Sequence, residues 1–230
     1  MQTYIRAIKL LQNVLVGASV LYLMAMPAVV ALIPEVLPEG VPSTLFSISL
    51  AAVTFVMAIR PLADLVPSAR WLRSLVILRK GFGVLSASII VSFILAKCIA
   101  HGPVGYLTSW FTVRYYALDG YALFAHLGDM TAIVLLVTSN NFSKRILGPS
   151  WKRVQKLAYV YFYAGAFYHA LAFQDTFAYG SIVSVTLLVC AAFVRNRIAQ
   201  VSEKNSAVSE QVAQRITAQS NALYQVRVSK

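Results

Sequence analysis

The chain has 230 residues, 59% of them hydrophobic and 12% charged, with a mean hydropathy of +0.69 and a net charge of +12. An ordinary globular domain carries about 25% charged residues. These proportions exclude a disordered chain, a disulfide scaffold and an ordinary water-soluble enzyme, and they point to a membrane protein.

A bilayer core about 30 Å thick needs roughly 20 apolar residues of helix. Taken in chain order, residues 10–34 and 40–59 carry no charge. Residues 81–96 are also uncharged, and Lys97 can snorkel outward to lengthen that stretch. Residues 120–143 hold one charge, Asp129, and residues 157–174 and 176–194 hold none. The pattern predicts an all-α bundle of six transmembrane helices within residues 1–195. A polar tail follows over residues 196–230. Its apolar positions Ile198, Val201, Val208 and Val212 approach a helical spacing that Asn205 interrupts. The expectation is a surface helix on the inner leaflet or a frayed tail.

The charges set an orientation. With the N-terminus in the cytoplasm, 18 of the 20 Lys and Arg residues fall in segments 1–9, 60–80, 144–156 and 195–230. Only Lys97 and Arg114 fall on the other side, together with Glu35, Glu39, Asp119 and Asp175. This is a positive-inside pattern, and it predicts both termini in the cytoplasm. Basic loops facing anionic lipid account for the pI of about 9.9 without a nucleic-acid partner. Trp71 and Trp151 stand beside inner helix ends and Trp110 beside outer ones, as interfacial anchors would. The first apolar run exceeds the 7–15 residues of a signal-peptide core, so it reads as a retained helix. Cys98 and Cys190 are expected near opposite faces, too far apart to pair. The longest inner connection, 60–80, is too short for a flavin or nicotinamide domain. Gly81-Phe82-Gly83 opens a helix and does not follow a strand, so it reads as helix packing.

Ionisable groups inside a membrane are costly. His101, His126 and His169 are expected in one layer near the outer face, with Asp129 one turn deeper than His126 on the same helix face. Three readings stay open. Imidazoles on facing helices suit a haem or metal. Asp129 and His126 suit a proton or cation relay. Alternatively, the histidines are interfacial and Asp129 pairs with a neighbour to hold the bundle.

Residues 50–172 resemble the ferric reductase-like transmembrane domain, in particular the bacterial haem-binding membrane subunits that serve a periplasmic methionine sulfoxide reductase. The resemblance rests on Ile59-Arg60-Pro61-Leu62 and on Leu78-Arg79-Lys80-Gly81-Phe82-Gly83. Its longest part is Thr138-Ser139-Asn140, Leu147-Gly148, Trp151-Lys152-Arg153, Leu157, Tyr159 and His169. It implies six helices with both termini inside, and b-type haems held between the third and fifth. Of the three ligand positions it implies, His169 keeps the imidazole, whereas Phe93 and Gln155 replace it.

The resulting expectation is a ferric reductase-like component for electron transfer, with at most one haem b near the outer face. His169 would be its ligand, with His126 or His101 as partner. Asp129 would orient His126, and Arg79 and Arg153 would hold the inner interface or contact a propionate or lipid phosphate. Such a chain would be an oxidoreductase only with a partner that supplies electrons. The alternatives are a haem-free scaffold or assembly subunit and a small ion-coupled transporter.

Overall fold

The computed structural model describes residues 2–33, 40–112 and 121–228, with side chains as far as residue 204. Glu35, Glu39, Arg114 and Asp119, expected in outer loops, lie outside the described residues. Among those described, all regular structure is helical. The helices are α1 (Gln2–Leu32), α2 (Val41–Leu65), α3 (Arg70–Leu75), α4 (Arg79–His101), α5 (Pro103–Ser109), α6 (Ala122–Thr138), α7 (Asn141–Leu147), α8 (Trp151–Val154), α9 (Leu157–Phe173) and α10 (Thr176–Val228).

Four stretches are long and apolar enough to cross a membrane: Thr3–Leu32, Val41–Leu65, Trp71–His101 and Thr176–Ser202. A fifth is reached only by joining α6 to Asn141–Val154, and that junction bends by 93°. With 17 residues each, α6 and α9 are about 25 Å long, short of a full hydrocarbon core. The expected stretch 120–143 is cut at Thr138 for a local reason. Asn140 leaves the helical region (φ −90°, ψ 163°), and its side chain accepts the Ser143 N–H at 2.6 Å. It thereby caps a new helix in a new direction. Trp151 Nε1 donates to the Thr138 carbonyl at 2.9 Å, which satisfies one of the free carbonyls at the end of α6.

The helix starts are equally local. Gly40 (φ 90°) precedes Val41, Pro42 occupies the first turn of α2, and Ser43 and Thr44 donate to the Gly40 carbonyl. Gly102 (φ 76°) ends α4, and Pro103 opens α5. Asp175 precedes α10 and its Oδ1 accepts the Phe177 N–H at 2.9 Å. Pro61 inside α2 cannot donate to the Met57 carbonyl, yet α2 continues to Leu65.

The most enclosed of the spanning helices is α4, packed against α1, α2 and α6. In turn α9 packs on α6, and α10 on α2 and α9. The core is built from Leu50, Val53, Met57, Ala87, Val91 and Phe162 with small residues between them. Alanines 164, 166 and 170 of α9 are buried, and a Cβ on Gly128 of α6 would lie 3.9 Å from the Gly165 nitrogen of α9. Small residues let these two short helices approach closely, as membrane helices do. A Cβ on Gly81 would meet the Leu15 side chain at 3.2 Å, so this glycine sets the α1–α4 approach, whereas Gly83 faces open space. Leu10, Leu21 and Met24 of α1 and Leu187 and Phe193 of α10 are exposed. Apolar exposure of this extent fits lipid, not water.

Helix alternation gathers α3, α7, α8 and the distal part of α10 at one end of the bundle, the basic end. The opposite end carries the start of α2, the end of α4, α5, the start of α6 and the end of α9. The tail does not fray or turn aside: α10 runs unbroken to Val228, roughly 40 Å beyond its apolar part.

Candidate functional site: a polar cavity between four helices

A cavity of about 100 Å³ lies between α2, α4, α6 and α9, towards the end opposite the basic loops. Phe46, Phe93 and Phe124 line it, with Asp129, Lys97, Tyr168 and His169 as its polar groups and Ser49 and Tyr161 at its inner limit. The Phe46 and Phe93 rings stack at 4.6 Å and 26°.

The inner limit is a closed hydrogen-bonded knot. Tyr161 Oη lies 2.8 Å from Ser86 Oγ and 3.2 Å from Ser49 Oγ, and the two serine oxygens are 2.9 Å apart. Ser86 Oγ also reaches the Ser49 carbonyl, and Ser49 Oγ the Ser86 carbonyl, at 2.9 and 3.1 Å. Three helices, α2, α4 and α9, are thereby joined, and no buried hydroxyl of the knot is left unpaired.

The predicted residues separate into three places. His169 and Asp129 both line the cavity. The His169 ring contacts Phe173 at 5.4 Å and Phe46 at 6.3 Å between centroids. Its Nδ1 lies 3.8 Å from Asp175 Oδ2, so the residue that caps α10 also stands behind this imidazole. His126 is buried but does not line the cavity; it meets Trp110 edge-on at 5.0 Å and 88°. The helical rotation explains this. Ala125, Gly128 and Asp129 form the cavity face of α6, and His126 lies beside it, turned towards Trp110. His101 is exposed at the end of α4, in a shallow depression with Lys97, Gly105, Tyr106 and Ser109. The three imidazoles therefore do not share one cavity. Among the described residues no three His, Cys, Asp or Glu side chains come together as a metal site would require.

Arg79 and Arg153 belong to the basic end. Arg79 opens α4, about 33 Å along the helix from His101, and its Nε donates to the Val56 carbonyl at 3.0 Å. Arg153 is exposed on α8. Gln155 is near the same end, with Nε2 donating to Thr138 Oγ1 at 3.4 Å. Arg195 of α10 donates to the Asp64 carbonyl of α2. Trp110, expected as an interfacial anchor, is instead buried at 6% exposure, packed between Tyr106 and His126; Trp71 is exposed. Both cysteines are free.

The cavity can be tested against the group that the resemblance implies. An apolar protein cavity of about 150 Å³ takes one benzene ring. A tetrapyrrole does not fit about 100 Å³, and this space presents one imidazole with a phenylalanine pair in place of a second. Sequence reasoning missed Ser49, Ser86 and Lys97 as parts of this site. Hydroxyl residues inside apolar spans were the available signal, since such groups need partners there. Comparison with protein-family models, with curated proteins and with solved structures finds no match to this chain.

Proposed function

We propose that the chain is a haem-free membrane subunit of ferric reductase-like architecture that serves as a scaffold or assembly partner. The observation that carries this reading is the Phe46–Phe93 stack. Phe93 stands where the resemblance implies an axial imidazole, and it lines the same cavity as His169. A phenyl ring has no lone pair for iron. At the other implied position Gln155 is engaged with Thr138. Without a haem there is no stepping stone for electrons across a core about 30 Å thick.

In this reading six helices span the membrane. The short pair α6 and α9 is accommodated by local thinning of the bilayer around it. The 18 basic residues gathered in four segments favour a cytoplasmic basic end, with both termini inside, in a bacterial plasma membrane. The α10 extension then reaches into the cytoplasm as the docking element for a partner protein.

The test is an absorption spectrum of the full chain purified from cells supplied with haem precursor. The expected spectrum has no Soret band. A stoichiometric Soret band that disappears in His169→Ala would overturn the reading and restore a single-haem electron-transfer component. The docking half is tested by ending the chain after Ser202. The bundle should stay folded, as judged by circular dichroism and a monodisperse elution profile. A partner that co-purifies with the full chain should be lost from the shortened one.

A further inference from the structure

The cavity holds an acidic and a basic side chain, Asp129 and Lys97, that form no ion pair with each other. Asp129 accepts no hydrogen bond and forms no ion pair within 4.0 Å among the described residues, although the Lys97 charge acts on it. Lys97 lies at the rim. Its Nζ is 5.8 Å from the Tyr106 ring centroid, and its side chain borders both the cavity and the shallow depression beside His101. His169 does not neutralise Asp129, because its near carboxylate is Asp175.

An unpaired carboxylate inside a membrane bundle requires a counterpart. A direct bond between Lys97 and Asp129 would supply one, yet no ion pair within 4.0 Å joins them although both line the same space. A simple cation in that space would meet the Lys97 ammonium, and a simple anion would meet the Asp129 carboxylate. A molecule carrying both charges satisfies both walls at once. The aromatic faces of Phe46, Phe93 and Phe124 suit the flank of an ammonium group. The volume of about 100 Å³ restricts the occupant to about the size of the smallest amino acids.

We propose that this cavity is a binding site for a small zwitterion of the size of glycine or alanine, its ammonium on Asp129 and its carboxylate on Lys97. Tyr168 and His169 border the ligand laterally and are not its charge partners. The serine–tyrosine knot closes the inner side, so the ligand enters from the end that carries His101. The inference rests on the haem-free reading, because a haem on His169 would fill the same cavity; absence of zwitterion binding in a protein without a Soret band overturns this inference and leaves that reading standing.

The experiment is calorimetric titration of the full chain in nanodiscs with glycine and alanine, and with acetate and methylammonium as single-charge controls. At least one zwitterion should bind, and both controls should bind at least tenfold more weakly. Asp129→Asn and Lys97→Gln should each weaken the zwitterion at least tenfold. Each variant should elute from gel filtration as the parent does. Lys97 is exposed at the rim, so its variant remains informative should the Asp129 variant misfold. Three results would each overturn the proposal: no binding of either zwitterion, equal binding of a single-charge control, or binding that Lys97→Gln leaves unchanged.

Discussion

Two polar regions adjoin one another between α2, α4 and α9, and they are built on opposite principles. In the knot of Ser49, Ser86 and Tyr161 each hydroxyl has a partner on another helix. In the cavity beside it, Asp129 and Lys97 line one space and form no ion pair with each other. A satisfied buried network stabilises and specifies a bundle, whereas an unsatisfied buried charge costs free energy and needs a use. The knot is therefore the structural element of this pair, and the cavity the one we propose to be functional. The same residue type would be read differently in each. A tyrosine in the knot holds three helices together, and Tyr168 in the cavity wall only shapes a space.

The contrast predicts changes of opposite sign. The largest effect is expected for Tyr161→Ala, which removes a fully buried aromatic ring and leaves both serine hydroxyls short of a partner. Stability should fall by about 3–5 kcal/mol, measured by reversible unfolding in mixed micelles. Asp129→Asn should move the other way and raise stability, by up to about 2.5 kcal/mol, because it removes a carboxyl group that has no ion-pair partner among the described residues. A loss of stability in that variant would show that Asp129 is already paired and would erase the distinction between the two regions. Ser86→Ala should cost about 0.5–1.5 kcal/mol. In a double-mutant cycle its effect should couple to that of Tyr161→Phe, and strict additivity would mean that the knot is not a network. Lys97→Gln is expected to leave thermal stability within about 0.5 kcal/mol of the parent, since the side chain is exposed and forms no ion pair among the described residues.

Much of the secondary structure is legible in the chain itself. Uncharged stretches locate α1, α2, α4, α6, α9 and the first part of α10, because lipid tolerates few charges and demands internally bonded backbone. The ends are less legible. The apolar pattern runs from 120 to 143, but one asparagine cap at Asn140 redirects the chain at Thr138. Pro61 suggests an end to α2 that does not occur. The tail has a broken apolar pattern and is nevertheless continuous helix, since it grows from an already formed span and needs no new nucleus.

The candidate site is legible in its residue types and not in their grouping. Asp129 and His169 stand out in the sequence as ionisable groups in apolar surroundings, and they line one cavity. His126 stands out equally, yet a rotation of one residue about the α6 axis turns it to Trp110. That contact also withdraws Trp110 from the interface where its type alone would place it. Ser49 and Ser86 are unremarked small residues in the sequence, and their meaning arises only when Tyr161 reaches both from a helix more than 70 residues away.

From its residues alone this chain is a positively charged, lipid-embedded helical protein, because hydropathy and charge act locally and add along the chain. Which polar groups pair and which remain open was decided only by packing. Side-chain direction depends on the rotation of each helix about its axis, and neighbouring helices set that rotation. The sequence of any one helix does not.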